Sequence, residues 1–455
     1  MSEMTGGKAL NKKSYPLIWR WHLFAGIIIA PFLIFLAATG ALYLFKDNIE
    51  NYTYQDYYYV EAAEDGERLP PSDLAFTAEG YAGGGDVTRY RPGEDENRSV
   101  EVGVTQTDGT AVTVFVNPYN RQVLGMIEDA NRPMDILEAL HGELSAGTIG
   151  DRIVELVACW TIIMIISGLF LWFPRTKEKI KGVFTIRFNK QGRIRLRDFH
   201  AVPAAWLSIG LLFFLFSGLL WTGFWGNGVQ QIVTASGSGY PPSIWTGPAP
   251  ESDTVTEDIA EVSWAAEKMP VQNSDQESGF RQLSLDQIIE TADSTGVDPS
   301  YDIFYPASEE GVFTLSVFPD QARDEATIHI DQYTGDVIAD YRYDNYGPLG
   351  KIMATMITVH KGHEFGIVNQ VLGLVICLGL IAMVITGVYM WWKRKPKNKS
   401  GAPKSASVVE YKGIFFTLIA LGIIFPLVGL SLIVIFIVDR LILRRNEKIR
   451  SWLNY

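Results

Sequence analysis

Long apolar runs alternate with hydrophilic stretches along the chain, and this alternation predicts a protein that crosses a membrane several times. A helix needs about 20 mainly apolar residues to cross a hydrocarbon core of about 30 Å. A fifth run, at residues 413–443, is longer than the others and is interrupted by Pro426. The four uninterrupted runs cover residues 23–45, 153–173, 202–224 and 368–391. We therefore expect four membrane helices followed by one further apolar segment.

The charges between the runs predict the orientation, because Lys and Arg concentrate in cytoplasmic loops. The segments after the second and fourth runs are basic, as at 175–197 and 393–399, whereas those after the first and third are acidic. The chain is thus expected to start in the cytoplasm and to export two segments from the bacterial inner membrane. The first run is too long for the core of a signal peptide and is interpreted as a retained anchor.

Two topologies fit the fifth apolar run. A single crossing of residues 413–443 would place the basic tail, from Arg440 to Arg450, outside, against the charge rule. A hairpin of two short helices centred on Pro426 would return the tail to the cytoplasm. We favour the hairpin.

The two exported segments resemble each other. Residues 112–116 and 326–330 alternate with the period of a half-buried strand, and each leads into a turn and a second short strand. Tyr119 and Tyr333 take the same place in the two turns. The sequence therefore predicts two small α+β domains within an internal repeat.

The predicted fold is a membrane α-helical protein, with a four-helix transmembrane bundle, a C-terminal apolar helix or hairpin and two exported α+β domains. Residues 1–45 are assigned to the cytoplasmic N-terminus and first helix, 46–150 to the first exported domain, 151–224 to the second and third helices with a basic loop, 225–358 to the second exported domain, 359–395 to the fourth helix, and 396–455 to a linker, the hairpin and a basic tail.

The membrane helices repeat as well, in the spacing of histidine and glycine. In the first and third helices, His22 lies eighteen residues before Gly40, and His200 lies eighteen before Gly218. At about 1.5 Å per residue, eighteen residues of helix rise about 27 Å. The histidines therefore lie at the cytoplasmic level and the two glycines near the periplasmic level.

The second and fourth helices show the reverse arrangement. His141 precedes Gly168 by twenty-seven residues, and His360 precedes Gly387 by the same number. These histidines precede their helices and lie at the periplasmic level, with the glycines near the other end. A glycine would let a macrocycle lie against the helix backbone, although small residues also serve helix packing in membranes.

The four histidines thus form two pairs at two depths, His22 with His200 and His141 with His360. Neutral imidazole is a common axial ligand of haem iron, and helix bundles hold cofactors between facing helices. We expect two six-coordinate haems b. A histidine that only anchors a helix end is the alternative for any single one, and another metal is disfavoured because no HExxH motif or cysteine pair is present.

Two further histidines complete the set. His363 lies three residues after His360, so either could be the fourth ligand. The repeat favours His360, which leaves His363 to hydrogen-bond a propionate or a substrate. His329 takes the place of Phe115 in the first repeat and is interpreted as a strand-surface residue.

Other kinds of site find no support in the sequence. The three glycines at 83–85 lack the strand–GxGxxG–helix context of a nucleotide site, and no flavin fingerprint or Ser-His-Asp signature is present. Membrane topology and anionic lipid account for the basic loop, so nucleic acid is not expected as a partner. Any electron donor must therefore be a separate molecule.

Together these residues resemble the PepSY-associated transmembrane family, which includes iron-regulated inner-membrane proteins and di-haem siderophore reductases. The resemblance covers nearly the whole chain. It rests on Trp21-His22 with Thr39-Gly40, Leu140-His141 with Ser167-Gly168 and Trp172, Phe199-His200 with Ser217-Gly218 and Trp221, and His360-Lys361-Gly362 with Thr386-Gly387.

The resemblance implies that the protein reduces a ferric siderophore or a similar ferric complex in the periplasm. Electrons from a quinol or a cytoplasmic reductase would enter the haem between His22 and His200 and pass to the haem between His141 and His360. Two alternatives stay open, a non-enzymatic membrane-anchored PepSY regulator of exported peptidases and a transporter of a metal complex.

Overall fold

Five helices of the computed structural model are long and apolar enough to cross a membrane, so the chain is a multi-pass membrane protein, as predicted. The structure describes residues 4–62, 66–174, 183–239, 254–274, 281–317, 319–404 and 412–455. Within that part of the chain, the candidate spans are Ser14–Tyr43, Gly147–Trp172, Arg193–Trp221, Ile367–Arg394 and Pro426–Leu443. The basic residues predicted at 175–182 lie outside the described residues.

The helices and strands follow one another in an order that repeats once. The helices are α1 (Met4–Tyr43), α2 (Lys46–Thr53), α3 (Gln55–Tyr58), α4 (Pro71–Tyr81), α5 (Pro133–Glu143), α6 (Gly147–Trp172), α7 (Arg193–Gly218), α8 (Trp225–Ala235), α9 (Leu285–Ser294), α10 (Pro348–Lys361), α11 (Ile367–Arg394), α12 (Lys412–Ile424), α13 (Pro426–Val438) and α14 (Glu447–Leu453). The strands are β1 (Asp86–Arg91), β2 (Val100–Thr105), β3 (Ala111–Val116), β4 (Val123–Glu128), β5 (Tyr301–Phe304), β6 (Val312–Val317), β7 (Ala326–Asp331) and β8 (Val337–Arg342).

The chain divides into two compact units, each built from both halves of the sequence. The helical unit contains Met1–Leu42, Ala139–Asn227 and Val371–Tyr455, and the sheet unit contains Tyr43–Glu138 and Gly228–Gln370. The helical unit therefore collects the membrane helices, and the sheet unit collects both segments predicted to be exported.

Glycines bring the long helices of the helical unit close together. A Cβ at Gly210 of α7 would lie 2.6 Å from Ile376 of α11, and one at Gly379 of α11 would lie 2.5 Å from Leu207 of α7. Helix α1 packs on α6 and α11 through an apolar cluster that includes Ile29. Small residues let membrane helices approach closely, so these glycines have a packing role.

In the second and fourth membrane segments, the histidine lies on a separate helix that precedes the span. His141 lies in α5, which ends at Glu143, and α6 starts at Gly147 after Leu144 and Ser145 adopt positive φ. His360 lies in α10, and α11 begins only at Ile367 after Gly362 ends α10 in the left-handed conformation. The spacing of twenty-seven residues therefore runs across a break between two helices, whereas the spacing of eighteen residues lies within one helix.

The C-terminal apolar segment folds back on itself. Helices α12 and α13 pack against each other, and a Cβ at Gly422 would lie 3.1 Å from the Cα of Gly429. The tail after α13 returns to the start of α1, where Arg20 donates to the carbonyl oxygen of Leu453 at 2.6 Å. This is the arrangement of a hairpin that turns at Pro426.

The sheet unit contains one antiparallel sheet of eight strands in the order β4-β3-β2-β1-β5-β6-β7-β8. The sequence predicted two separate domains, but β1 pairs with β5 and joins the two four-stranded halves. The registered pairs are Arg89 with Phe304 and Tyr90 with Ile303. Each half follows a helix, α4 or α9, and the two helices pack together with the sheet in one apolar core.

The repeated turns have matching hydrogen bonds. Asn117 Oδ1 accepts from the backbone N–H of Tyr119, and Asp331 Oδ1 accepts from that of Tyr333. The two tyrosine hydroxyls each donate to a backbone carbonyl, that of Glu96 in the first half and of Glu309 in the second, both at 2.7 Å. Tyr119 and Tyr333 therefore occupy equivalent positions, as predicted.

The prediction that His329 lies on the surface of a strand is wrong. His329 is fully buried, with its Nδ1 3.0 Å from the Thr314 hydroxyl and its ring against the edge of Tyr341. Alternation along β7 gives one apolar and one polar face. The polar face is also covered, because Tyr341 packs there in a second cluster with Tyr346 and part of α10.

Candidate functional site

His22 of α1 lies against α6. Its Cε1 lies 3.1 Å from the position of a Cβ on Gly168, and its Nδ1 lies 2.9 Å from the hydroxyl oxygen of Ser167. Any side chain at Gly168 would therefore meet the imidazole ring. The sequence predicted that His22 and Gly168 lie near the same end of their helices, and the structure brings them into contact.

His141 makes the same contact at the other end of α1. Its Cε1 lies 2.9 Å from the position of a Cβ on Gly40, and its Nδ1 lies 3.0 Å from the hydroxyl oxygen of Thr39. His141 of α5 therefore packs on a glycine of α1, and His22 of α1 packs on a glycine of α6.

His200 of α7 repeats the arrangement in the second half of the chain. Its Cε1 lies 3.1 Å from the position of a Cβ on Gly387 of α11. Its Nδ1 lies 2.9 Å from the carbonyl oxygen of Met383, and the Thr386 hydroxyl lies 3.5 Å from the same nitrogen. The glycines thus have imidazole rings as their neighbours, where the sequence suggested only that a macrocycle could approach.

The partner of Nδ1 bears on which ring nitrogen carries the proton. The carbonyl of Met383 can only accept, so the proton of His200 lies on Nδ1 and its Nε2 carries the lone pair. The hydroxyl oxygens of Ser167 and Thr39, which can donate or accept, lie within hydrogen-bond distance of Nδ1 of His22 and His141. An imidazole that binds a metal through Nε2 would carry its proton on Nδ1 and donate it to such an oxygen.

His22 and His200 are each preceded, two residues earlier, by a buried charged side chain. Arg20 donates to the carbonyl oxygens of Pro403 and Leu453, and Asp198 accepts from Arg187 and Arg197. These bonds hold α1 and α7 one turn or less before each histidine.

The repeat leaves His360 and Gly218 as the remaining histidine and glycine, and these two residues belong to different units. Gly218 is the last residue of α7 in the helical unit, and His360 is near the end of α10 in the sheet unit. Ser217, just before Gly218, donates to Phe213 O at 2.7 Å, the same kind of bond that Thr39 and Ser167 make. His363 follows α10, with Nδ1 3.2 Å from Asp320 and Nε2 3.7 Å from Asp47.

Tryptophans at matching places anchor the ends of α6 and α11. Trp172 and Trp391 each lie thirty-one residues after the histidine of their segment. The indole N–H of Trp172 donates to Val183 O at 3.0 Å, and that of Trp391 donates to Ser400 O at 2.9 Å. The repeat in the sequence therefore corresponds to a repeat of side-chain contacts.

The role of the hydroxyl residues before the glycines was not predicted. Thr39, Ser167, Ser217 and Thr386 each directly precede one of the four glycines, so the signal was present in the sequence as a recurring Ser/Thr-Gly pair. Spacing alone cannot show which hydroxyl faces which ring, because that depends on how two helices pack.

The donor set fits haem iron. Neutral imidazoles that ligate a metal through one nitrogen usually donate the other N–H to a carbonyl, hydroxyl or carboxylate, which fixes the orientation of the ring. His22, His141 and His200 all have this second bond.

Comparison with known proteins gives one result for most of the chain. Residues 19–394 match the model of a family described as the PepSY-associated TM region. No curated protein matches the chain.

Proposed function

The chain belongs to the PepSY-associated TM family, and from this premise we propose that it is a di-haem b electron-transfer protein. Located in the bacterial inner membrane with its N-terminus in the cytoplasm, it would reduce ferric siderophores or similar ferric complexes on the periplasmic side. A quinol or a cytoplasmic reductase would supply the electrons.

One observation carries the proposal. Three of the four repeat-matched histidines rest on a glycine of a neighbouring helix, with Nδ1 within hydrogen-bond distance of an oxygen of that helix. A histidine that only anchors a helix at the membrane surface needs no such partner for Nδ1. An axial ligand is oriented by one, because its Nε2 must point at the iron with a free lone pair.

The haem at the cytoplasmic level, called the inner haem, would be held by His22 and His200. The haem at the periplasmic level, the outer haem, would be held by His141 and His360. The pair of His141 and His360 is supported by the repeat in the sequence. The two residues belong to different units. Bound between such imidazoles, haem b supplies transfer of one electron at a time. The protein's own part is to orient each ring through Ser167, Thr39 or Met383 O and to surround it with apolar helices.

The visible spectrum of the purified full chain tests the proposal. We expect a Soret band and, after reduction with dithionite, sharp α and β bands with two haems per chain. A colourless preparation would refute the proposal and would leave the regulator and transporter readings. A reduced sample mixed with a ferric hydroxamate complex should reoxidise, as followed at the Soret band.

Single substitutions assign the ligands. Replacing His22 or His200 by alanine should remove one haem, and replacing His141 or His360 should remove the other. His363→Ala is the control for His360→Ala, because it lies only three residues away. If the haem is lost with His363→Ala and kept with His360→Ala, the assignment of the fourth ligand is wrong.

A further inference from the structure

Three side chains that can ligate metals meet in the sheet unit although they come from separate parts of the chain. Asp47 lies on α2, Asp320 lies in the loop after β6, and His363 follows α10. One ligand atom from each lies within 4.8 Å of the others. Among the described residues, this group is where such ligand atoms come together.

His363 faces a carboxylate on both sides of its ring. Its Nδ1 lies 3.2 Å from Asp320 Oδ1, and its Nε2 lies 3.7 Å from Asp47 Oδ2. A neutral imidazole has one N–H, so it can donate to only one of the two carboxylates. The other nitrogen would then direct a lone pair at an anionic oxygen. A metal ion bound to one ring nitrogen would place a cation between the imidazole and these carboxylates.

We propose that Asp47, Asp320 and His363 bind a divalent first-row transition metal ion. Imidazole together with carboxylates suits iron, manganese and zinc, and excludes the soft ions that prefer thiolates. Bonds of about 2.0–2.2 Å to such an ion place its ligand atoms roughly 3–3.5 Å apart. The side chains of Asp47 and Asp320 are 54% and 82% exposed, so they are free to close the remaining distance.

The backbone around the site is fixed by hydrogen bonds that the metal does not need to make. Glu364, next to His363, accepts from the backbone N–H of Ala322 at 3.0 Å and from the Thr358 hydroxyl at 2.6 Å. These bonds tie the turn that carries His363 to the loop that carries Asp320. Three protein ligands leave further coordination positions for water or for another ligand.

The place of the site suggests its occupant, and this step rests on the proposed function. His363 lies three residues after His360, a proposed haem ligand. One electron from the separate donor reduces Fe³⁺ in its complex to Fe²⁺, which the chelator holds weakly. The Fe²⁺ then passes from the chelator to the two carboxylates and the imidazole, and the chelator leaves free of iron.

Equilibrium dialysis of the untagged full chain in detergent against Co²⁺, with metal and protein measured in the same samples, tests the site at pH 7.5. We expect one bound Co²⁺ per chain in the wild type. His363→Gln and Asp320→Asn should each weaken binding at least 10-fold. Asp324→Asn is the matched control, since Asp324 is an exposed carboxylate four residues from Asp320, and it should bind as the wild type does.

Either of two results would overturn the proposal. The wild type could bind no Co²⁺ at millimolar concentration, in which case the three side chains do not form a metal site. Binding could instead be unchanged in both variants, in which case the metal lies elsewhere. The haem spectrum of the same samples keeps the two proposals apart. A colourless chain that binds Co²⁺ refutes only the electron-transfer function, and a coloured chain that binds none refutes only this site.

Discussion

A single methyl group at Gly168 should disturb the site of His22 without touching a ligand. The Cβ of Gly168→Ala would lie 3.1 Å from Cε1 of His22. Ordinary carbon–carbon contacts lie at about 3.5–4.0 Å, so the ring must move by roughly 0.5 Å or the helices must separate. Gly387→Ala places the same methyl group 3.1 Å from Cε1 of His200.

The expected cost follows from that displacement. Overpacking by one methyl group costs about 1–3 kcal/mol, and the shift also lengthens the bond between Nδ1 and Ser167, now 2.9 Å. Loss of such a supporting bond typically weakens metal binding by about 10–100-fold. We therefore expect partial loss of one haem, with a changed midpoint potential for the fraction that remains.

The assay is a redox titration followed at the α band, together with the haem content per chain. The titration should show two components, one for each haem. Gly168→Ala and Gly387→Ala should both change the component of the inner haem. Gly40→Ala should change that of the outer haem, because Gly40 lies against His141. Gly413→Ala is the matched control, since in the described part of the chain no neighbouring residue comes within 4 Å of a Cβ there. The pairing is refuted if Gly168→Ala and Gly387→Ala affect different components, or if all three behave like the control.

Three further outcomes follow from single contacts. Ser167→Ala removes the acceptor for His22 Nδ1–H, which should cost about 1 kcal/mol and raise the potential of the inner component alone, as a redox titration would show. Burial raises the pKa of Glu325 to about 8 from its ordinary 4.5, so between these pH values only the folded state holds this proton. The free energy of unfolding should therefore fall as the pH rises across that range. Denaturant titrations should show a flatter fall for Glu325→Gln. Because the buried Nε2 of His329 has no hydrogen-bond partner among the described residues, His329→Phe combined with Thr314→Val should leave the unfolding free energy unchanged or raise it by about 1 kcal/mol, and a loss larger than that would show an unseen partner.

The levels of the histidines and glycines along the helices could be predicted because helix geometry converts spacing into depth. Eighteen residues between His22 and Gly40 set the distance between two layers, and the repeat then assigned Gly168 to the first layer and His141 to the second. The structure brings these residues into contact as that geometry requires. The direction of the hydroxyl of Ser167 could not be predicted, because it depends on the rotation of one helix against another.

The sheet was predicted less completely, for a different physical reason. The alternation in β7 shows which residues share a face, but not whether that face meets water, so His329 was assigned to the surface. The pairing of β1 with β5 joins Tyr90 to Ile303, more than two hundred residues later in the chain. A contact of that range leaves no local signal in either strand, and the union of the two halves in one sheet was therefore missed.

The contacts also constrain how the two halves of the chain must cooperate. Along α1, His22 and Gly40 are separated by about 27 Å of helix, and His141 rests on Gly40. The two histidines of the first half therefore lie in different layers, much too far apart to bind one iron. In the proposed arrangement each haem would therefore take one ligand from each half, such as His22 and His200. A chain cut to either half would retain one imidazole per layer and would not by itself supply both axial ligands of a haem.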